Sequence, residues 1–178
     1  MKSRIVFAKC FTAIFIFITA NLEASSPYQQ TVTDFVTPLY SLYKIDPNHQ
    51  FTDQAFLAQY KPLWHWGVEV KVSPFRLQMY FFEFSDSIAT GRAFTYLLKQ
   101  LSNRAGAKLE ICSDMGSLKS PPVLYLVGYN SISILHQMCE EEQIKRSDFI
   151  TSFLQGLSFR HIRNLSIGCG GPVKWKCE

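Results

Sequence analysis

Cysteine is the residue type in this chain with the widest choice of chemistry. Four cysteines lie in the second half of the sequence: Cys112, Cys139, Cys169 and Cys177. A free thiolate beside a base is a nucleophile, whereas cysteines in an oxidising compartment pair as disulfides. Thiol catalysis would use Cys112, with His65 or His136 as its base. An even number of cysteines in an exported chain favours two disulfides instead.

The pairing of these cysteines is open among three connectivities. The sequence favours Cys169–Cys177, because this bond would close a short loop around two glycines and a proline. The remaining bond would then be Cys112–Cys139, which would tie the strand after a central helix to a later helix. Two disulfides would also remove Cys112 from thiol chemistry.

Two carboxylates offer a second kind of chemistry. Glu69 and Glu83 are expected on adjacent strands. Paired carboxylates act as general acid and base in glycoside hydrolysis. The competing interpretation is that both are ordinary solvated side chains on the surface of a strand.

The histidines are spread along the chain without a recognisable ligand pattern. They are His49, His65, His136 and His161. No two of them have an HxxxH spacing, and the sequence contains no HExxH motif. We therefore predict no metal site and no cofactor.

Tryptophans are candidates for partner contact. Trp64 and Trp66 flank His65, so on a strand both indoles would lie on one side. Trp175 lies near the end of the chain. Exposed aromatic side chains mark binding surfaces, but burial in the core is the competing expectation.

A basic cluster near the C-terminus is the other candidate for partner contact. Its members are Arg160, His161, Arg163, Lys174 and Lys176. Such a cluster would attract an anionic surface or an acidic partner, or it would simply be solvated. We expect the tail from residue 160 onward to be irregular and closed by its cysteines.

The clearest local structure is a helix over residues 85–105. Apolar side chains recur with helical spacing: Phe94, Leu97, Leu98, Leu101 and Ala105. Ser85 and Asp86 can cap its start, and Gly106 can end it. Alternation over residues 108–112 then predicts a strand.

The same reasoning extends to the other elements. Short helices are predicted over residues 25–43 and 52–60, strands over 64–72, 76–84 and 123–127, and helices from 130 to 139 and from 147 onward. The expected fold class is α+β (or α/β). It would be a mixed sheet of about four strands with packed helices, in one disulfide-stabilised domain over residues 25–178.

The first 24 residues have the form of a secretory signal peptide. Lys2, Arg4 and Lys9 precede an apolar run over residues 10–20, and Leu22 and Ala24 suit cleavage before Ser25. The run is shorter than the roughly 20 residues of a spanning helix, although an uncleaved anchor is the alternative. The protein is therefore expected to be periplasmic or secreted, without a transmembrane span after cleavage.

These observations lead to a ranked set of functions. The first is a non-enzymatic exported domain that binds a protein partner, such as an accessory component of a bacterial envelope or secretion system. The alternatives are a secreted hydrolase or thiol-dependent enzyme, and a secreted toxin or effector. Part of the formal net charge of +4 lies in the first nine residues, so no nucleic-acid partner is expected.

Overall fold

The computed structural model describes residues 25–43, 54–72, 75–106, 109–113, 117–137, 139, 143–157 and 161–177. The expected signal peptide lies outside these residues. The helices are α1 (Pro27–Tyr43), α2 (Ser87–Ala105) and α3 (Gln143–Leu157), with a 3-10 helix at Gln54–Tyr60. The strands are β1 (Trp64–Val72), β2 (Phe75–Glu83), β3 (Val123–Gly128), β4 (Ser131–His136), β5 (His161–Ile167) and β6 (Val173–Cys177).

The six strands form one sheet in the order β1-β2-β4-β3-β5-β6. All of the neighbouring pairs are antiparallel. The α+β class is therefore confirmed. The expected number of strands, about four, is too low, and the sheet is antiparallel rather than mixed.

Helix α2 forms as its sequence predicts. The Asp86 carboxylate accepts hydrogen bonds from the backbone N–H groups of Ile88 and Ala89, at 2.9 and 2.8 Å. The bond from Ala89 is the main reason that the pKa of Asp86 is lowered. Gly106 ends the helix with φ of 63°, a left-handed conformation that favours glycine.

Two apolar layers cover the two faces of the sheet. The layer on the α2 face includes Phe82, Phe94 and Tyr125, and the layer on the α1–α3 face includes Phe81 and Phe153. Successive residues of β2 alternate between these layers, as period-two side-chain placement requires. Strand β2 is therefore covered by apolar side chains on both sides.

Strand β4 occupies a segment that the sequence predicted as a helix. The expected helix used Ile132, Leu135 and Met138 as its apolar stripe. Instead, Ser131–His136 pairs with β2 on one side and β3 on the other. The reason is that Ser131 and Ser133 alternate with the β-branched Ile132 and Ile134 at the period of a strand, and burial between two neighbouring strands favours this pattern over the helical spacing.

The C-terminal tail is regular, contrary to the sequence expectation. Strands β5 and β6 form a hairpin with Ile167 opposite Val173 and Arg163 opposite Cys177. The expected strand over residues 108–112 is also wrong. Its described part, residues 109–112, is a loop and turn in which Cys112 has φ of 59°.

The disulfides join different pairs of cysteines from those predicted. Cys112 pairs with Cys177, with Cα atoms 6.1 Å apart, and Cys139 pairs with Cys169, with Cα atoms 5.5 Å apart. Cys169 lies in the β5–β6 turn, whereas Cys177 lies at the far end of β6. A strand of this length separates the two cysteines by more than the roughly 7 Å that a disulfide can bridge.

The β5–β6 turn contains a position at which only glycine fits. Gly171 has φ of 87°, and an added Cβ would meet the backbone carbonyl of Leu118. Leu118 N also donates a hydrogen bond of 2.6 Å to the carbonyl of Gly171. We expect Gly171→Ala to lower the free energy of unfolding by about 2 kcal/mol, through backbone strain and loss of this bond.

Gly170→Ala is the matched control for this substitution. Gly170 has a similar φ of 80° but nothing within 4 Å of an added Cβ. It should cost only the conformational penalty, about 1 kcal/mol. Urea unfolding of both variants measures the difference, and equal losses would show that the contact with Leu118 has no energetic importance.

Candidate functional site

The two carboxylates proposed as an acid–base pair lie on opposite faces of the sheet. Glu69 is opposite Gln78, whose Nε2 donates to Glu69 Oε1 at 3.2 Å, and this pair lies on the α2 face. Glu83 is opposite Trp64 on the α1–α3 face. The two carboxylates cannot reach one bond of a substrate together. Glu69 and Glu83 therefore do not form a general acid–base pair.

Glu83 instead holds the start of α1 against the sheet. Its side chain is 6 % exposed. Its Oε2 accepts hydrogen bonds from Ser26 Oγ at 2.7 Å and Gln29 Nε2 at 2.9 Å. Its Oε1 accepts a longer bond of 3.4 Å from Asn130 Nδ2. Each donor is neutral, and together they solvate a buried carboxylate in place of water.

Tyr28, at the start of α1, extends this polar cluster to strand β4. Its hydroxyl lies 2.8 Å from Ser133 Oγ and donates to the carbonyl of Ile132 at 3.2 Å. Burial raises the pKa of Tyr28 well above its ordinary value, with a smaller contribution from the charge of Glu83. The hydroxyl therefore stays protonated and serves as a structural donor.

We expect Glu83→Ala to lower the free energy of unfolding by about 2 kcal/mol, because several partly buried donors lose their acceptor. Glu83→Gln keeps the shape and one acceptor oxygen and should cost less. Hydrogen exchange of the first turn of α1 should quicken in parallel in the alanine variant. Unchanged exchange there would mean that Glu83 does not secure the helix.

The arrangement required for thiol catalysis is also absent from the described residues. Cys112 is bonded to Cys177 beside β6, and a disulfide sulfur has no thiolate to act as a nucleophile. His65 is exposed on β1, at the opposite edge of the sheet. At ~4.8 Å per strand, the His65 imidazole and the Cys112–Cys177 disulfide are roughly 20 Å or more apart.

His136 cannot serve as the base for Cys112 either. It lies at the end of β4 that is level with the start of β6, whereas Cys177 lies at the far end of β6. Its ring makes an edge contact with Tyr80, with centroids 5.8 Å apart. Burial lowers the pKa of His136 to about 4, and the charge of Arg104 acts in the same direction. The imidazole is therefore neutral at physiological pH.

Trp64 and Trp66 lie between α1 and the sheet. Tyr28 contacts Trp64 and Tyr40 contacts Trp66, with ring centroids 6.1 and 6.2 Å apart. Trp175 packs on the other face against α2. All three indoles are half-buried, so packing accounts for much of their surface. The expectation that Trp64 and Trp66 share one side is confirmed, and their partner contact stays a prediction.

Part of the basic cluster forms a defined surface, which we call the lysine patch. It consists of Asn164 and Ser166 on β5 and Lys174 and Lys176 on β6. Asn164 is opposite Lys176 and Ser166 is opposite Lys174. Their chain neighbours Leu165 and Trp175 belong to the α2 layer, so the patch lies on the α1–α3 face. The described apolar layer on that face includes no residue of β5 or β6.

The patch combines charge with an unmet acceptor. Lys174 and Lys176 are exposed, and Asn164 and Ser166 are half-buried. Asn164 Oδ1 is buried without a hydrogen-bond partner among the described residues. The sequence pointed to the two lysines but not to the polar β5 residues between them and the apolar layer. Arg163 lies on the opposite face, and Arg160 lies outside the described residues.

The described part of the chain contains no group of three or more His, Cys, Asp or Glu residues that could hold a metal ion. None of its helices is long and apolar enough to cross a bilayer. Comparison with protein-family models, curated proteins and solved structures gave no match.

Proposed function

We propose that this protein is a non-enzymatic exported domain that binds an acidic protein partner through the lysine patch. The observation that carries the proposal is the placement of Lys174 and Lys176 on one exposed face of β6, beside polar residues of β5. The signal-peptide pattern and the two disulfides support export. An accessory role in a bacterial envelope or secretion system fits such a domain.

The spacing of the patch indicates the form of its partner. Lys174 and Lys176 are two positions apart along β6, with Trp175 between them, which places their Cα atoms about 7 Å apart. An extended segment with acidic residues at alternate positions has the same spacing on one of its faces. Such a segment would pair its carboxylates with both ammonium groups. Asn164 Oδ1 could accept a hydrogen bond from a donor of the partner.

The alternative of a secreted hydrolase or thiol-dependent enzyme loses its geometric support. Glu69 and Glu83 lie on opposite faces, and Cys112 is bonded to Cys177. The partner-binding proposal therefore stands on a positive feature, the lysine patch, that the enzymatic alternatives do not need.

Charge reversal of the patch tests the proposal. We expect Lys174→Glu/Lys176→Glu to weaken partner binding about tenfold, because each attraction becomes a repulsion at an exposed site. Co-purification from the native envelope or extracellular fraction, at low and at high salt, measures the effect. Binding by the wild type should also weaken as salt is raised.

The double variant Lys99→Glu/Lys119→Glu is the matched control, because both side chains are exposed and the change in net charge is identical. It should retain the partner. Equal loss of binding in both double variants would show that only overall charge matters. A wild-type protein that recovers no partner at low salt would contradict the proposal.

A further inference from the structure

Three large apolar side chains are strongly exposed at one end of the sheet. Leu63, Ile88 and Tyr129 leave 70, 66 and 67 % of their surfaces open to solvent. We call these three residues the loop end. Exposed apolar side chains that share one end of a fold are candidates for contact with a partner or a membrane.

Backbone hydrogen bonds bring the three segments together. Leu63 N donates to the carbonyl of Glu83 at 2.8 Å, and Phe84 N donates to the carbonyl of Asn130 at 2.7 Å. Leu63 directly precedes β1, Tyr129 lies in the β3–β4 turn, and Ile88 lies in the first turn of α2. The approach to β1, the β3–β4 turn and the start of α2 thus meet at the same edge of the fold.

The N-terminal segment is attached at this same end. Ser26 Oγ is bound to Glu83, so the chain preceding α1 must arrive beside the loop end. Four residues separate Ala20 from Ser25 in the sequence. Such a connection spans at most about 18 Å. The apolar run over residues 10–20 is therefore joined to the domain by a short connection that enters it at the loop end.

We propose that the loop end contacts the lipid bilayer while residues 1–24 remain attached. An apolar run of this composition partitions into a bilayer, and its short connection then holds the domain at the membrane surface. Leucine and isoleucine side chains insert below the headgroups, and tyrosine is enriched at headgroup level. Lys61 is exposed next to the loop end, where its ammonium group can contact lipid phosphates.

The structure favours a bilayer over a protein at this surface. The three side chains project from three separate segments rather than from one helix or strand. A fluid lipid surface accommodates separate apolar tips without shape complementarity, whereas a protein interface needs a closely packed core. Contact with lipid is also independent of the lysine patch, which belongs to β5 and β6.

Photo-crosslinking from single positions tests this contact. The full chain is inserted into vesicles of phosphatidylcholine and phosphatidylglycerol, with a benzophenone side chain replacing Leu63, Ile88 or Tyr129. Ile111, an exposed apolar residue after α2, is the matched control position. We expect several-fold more lipid adduct at each loop-end position than at Ile111, and little change in 0.5 M salt because apolar insertion resists screening.

Each other outcome overturns the proposal. Equal lipid adducts at all four positions would mean that the vesicle surface is contacted without preference. Adducts to a second protein molecule would replace the bilayer with a protein partner. An absence of adducts at the loop end, in a chain whose residues 1–24 are shown to be membrane-inserted, would mean that the domain stands away from the surface.

Discussion

Replacing Cys112 and Cys177 together by serine should lower the free energy of unfolding by about 4 kcal/mol. The bond joins residues separated by 65 positions and ties the turn after α2 to the end of the edge strand β6. Its removal restores conformational freedom to a long loop of the unfolded chain. Denaturant unfolding of the wild-type and variant proteins, both without reductant, measures the loss.

The second disulfide supplies the comparison. Cys139 and Cys169 are separated by 30 positions, so their replacement by serine should cost slightly less, about 3.5 kcal/mol. The single variant Cys177→Ser also tests the pairing. Alkylation without reduction should label Cys112 in that variant, whereas labelling of Cys169 would restore the pairing predicted from the sequence.

Acid should weaken the fold through His136. Burial lowers the pKa of this imidazole to about 4, against about 6.5 in an unfolded chain. Between these values the unfolded chain binds a proton that the folded protein does not. Stability therefore falls as the pH is lowered from 6.5 towards 4, by up to about 3 kcal/mol in total.

The variant His136→Gln isolates this contribution, because its side chain does not titrate. The difference in the free energy of unfolding, wild type minus His136→Gln, should be constant above pH 6.5. It should decline as the pH is lowered from 6.5 towards 4. His65→Gln, at an exposed histidine, should leave the pH dependence unchanged. A constant difference between wild type and His136→Gln would show that His136 titrates normally in the folded protein.

Sequence reasoning succeeded where the determinants are local. Helix α2 carries its own cap at Asp86 and its own stop at Gly106, and both work as expected. The β1 segment alternates between apolar and polar residues, the β2 segment is rich in β-forming and aromatic residues, and a short connection joins them, so they form adjacent strands. Each of these features depends on residues close together in the chain.

It failed where distant pairing decides the structure. Ser131–His136 becomes a strand because β3, its neighbour in the chain, and β2, about 50 residues earlier in the sequence, pair with its two sides, and helical spacing registers neither pairing. The tail becomes a hairpin because β3 offers a free side to β5. The hairpin then separates Cys169 from Cys177 and changes the disulfide pairing.

The candidate site likewise contains residues that the sequence identified and residues that only the strand register revealed. Lys174 and Lys176 could be identified from charge alone, although the tail that carries them was expected to be irregular. The contribution of Asn164 and Ser166 required the β5–β6 register, which depends on folding of the tail. The separation of Glu69 from Glu83 likewise required the β1–β2 register, because adjacent strands do not specify which face each side chain occupies.

Zero-length carbodiimide coupling of the partner complex tests the proposed function most directly, because it joins an ammonium group to a carboxylate only when they are in contact. We expect links from Lys174 or Lys176 to aspartate or glutamate residues of a second protein, mapped by mass spectrometry. Lys99 and Lys119 should be linked much less often. A complex joined only through other lysines, with none at Lys174 or Lys176, would contradict binding through the lysine patch.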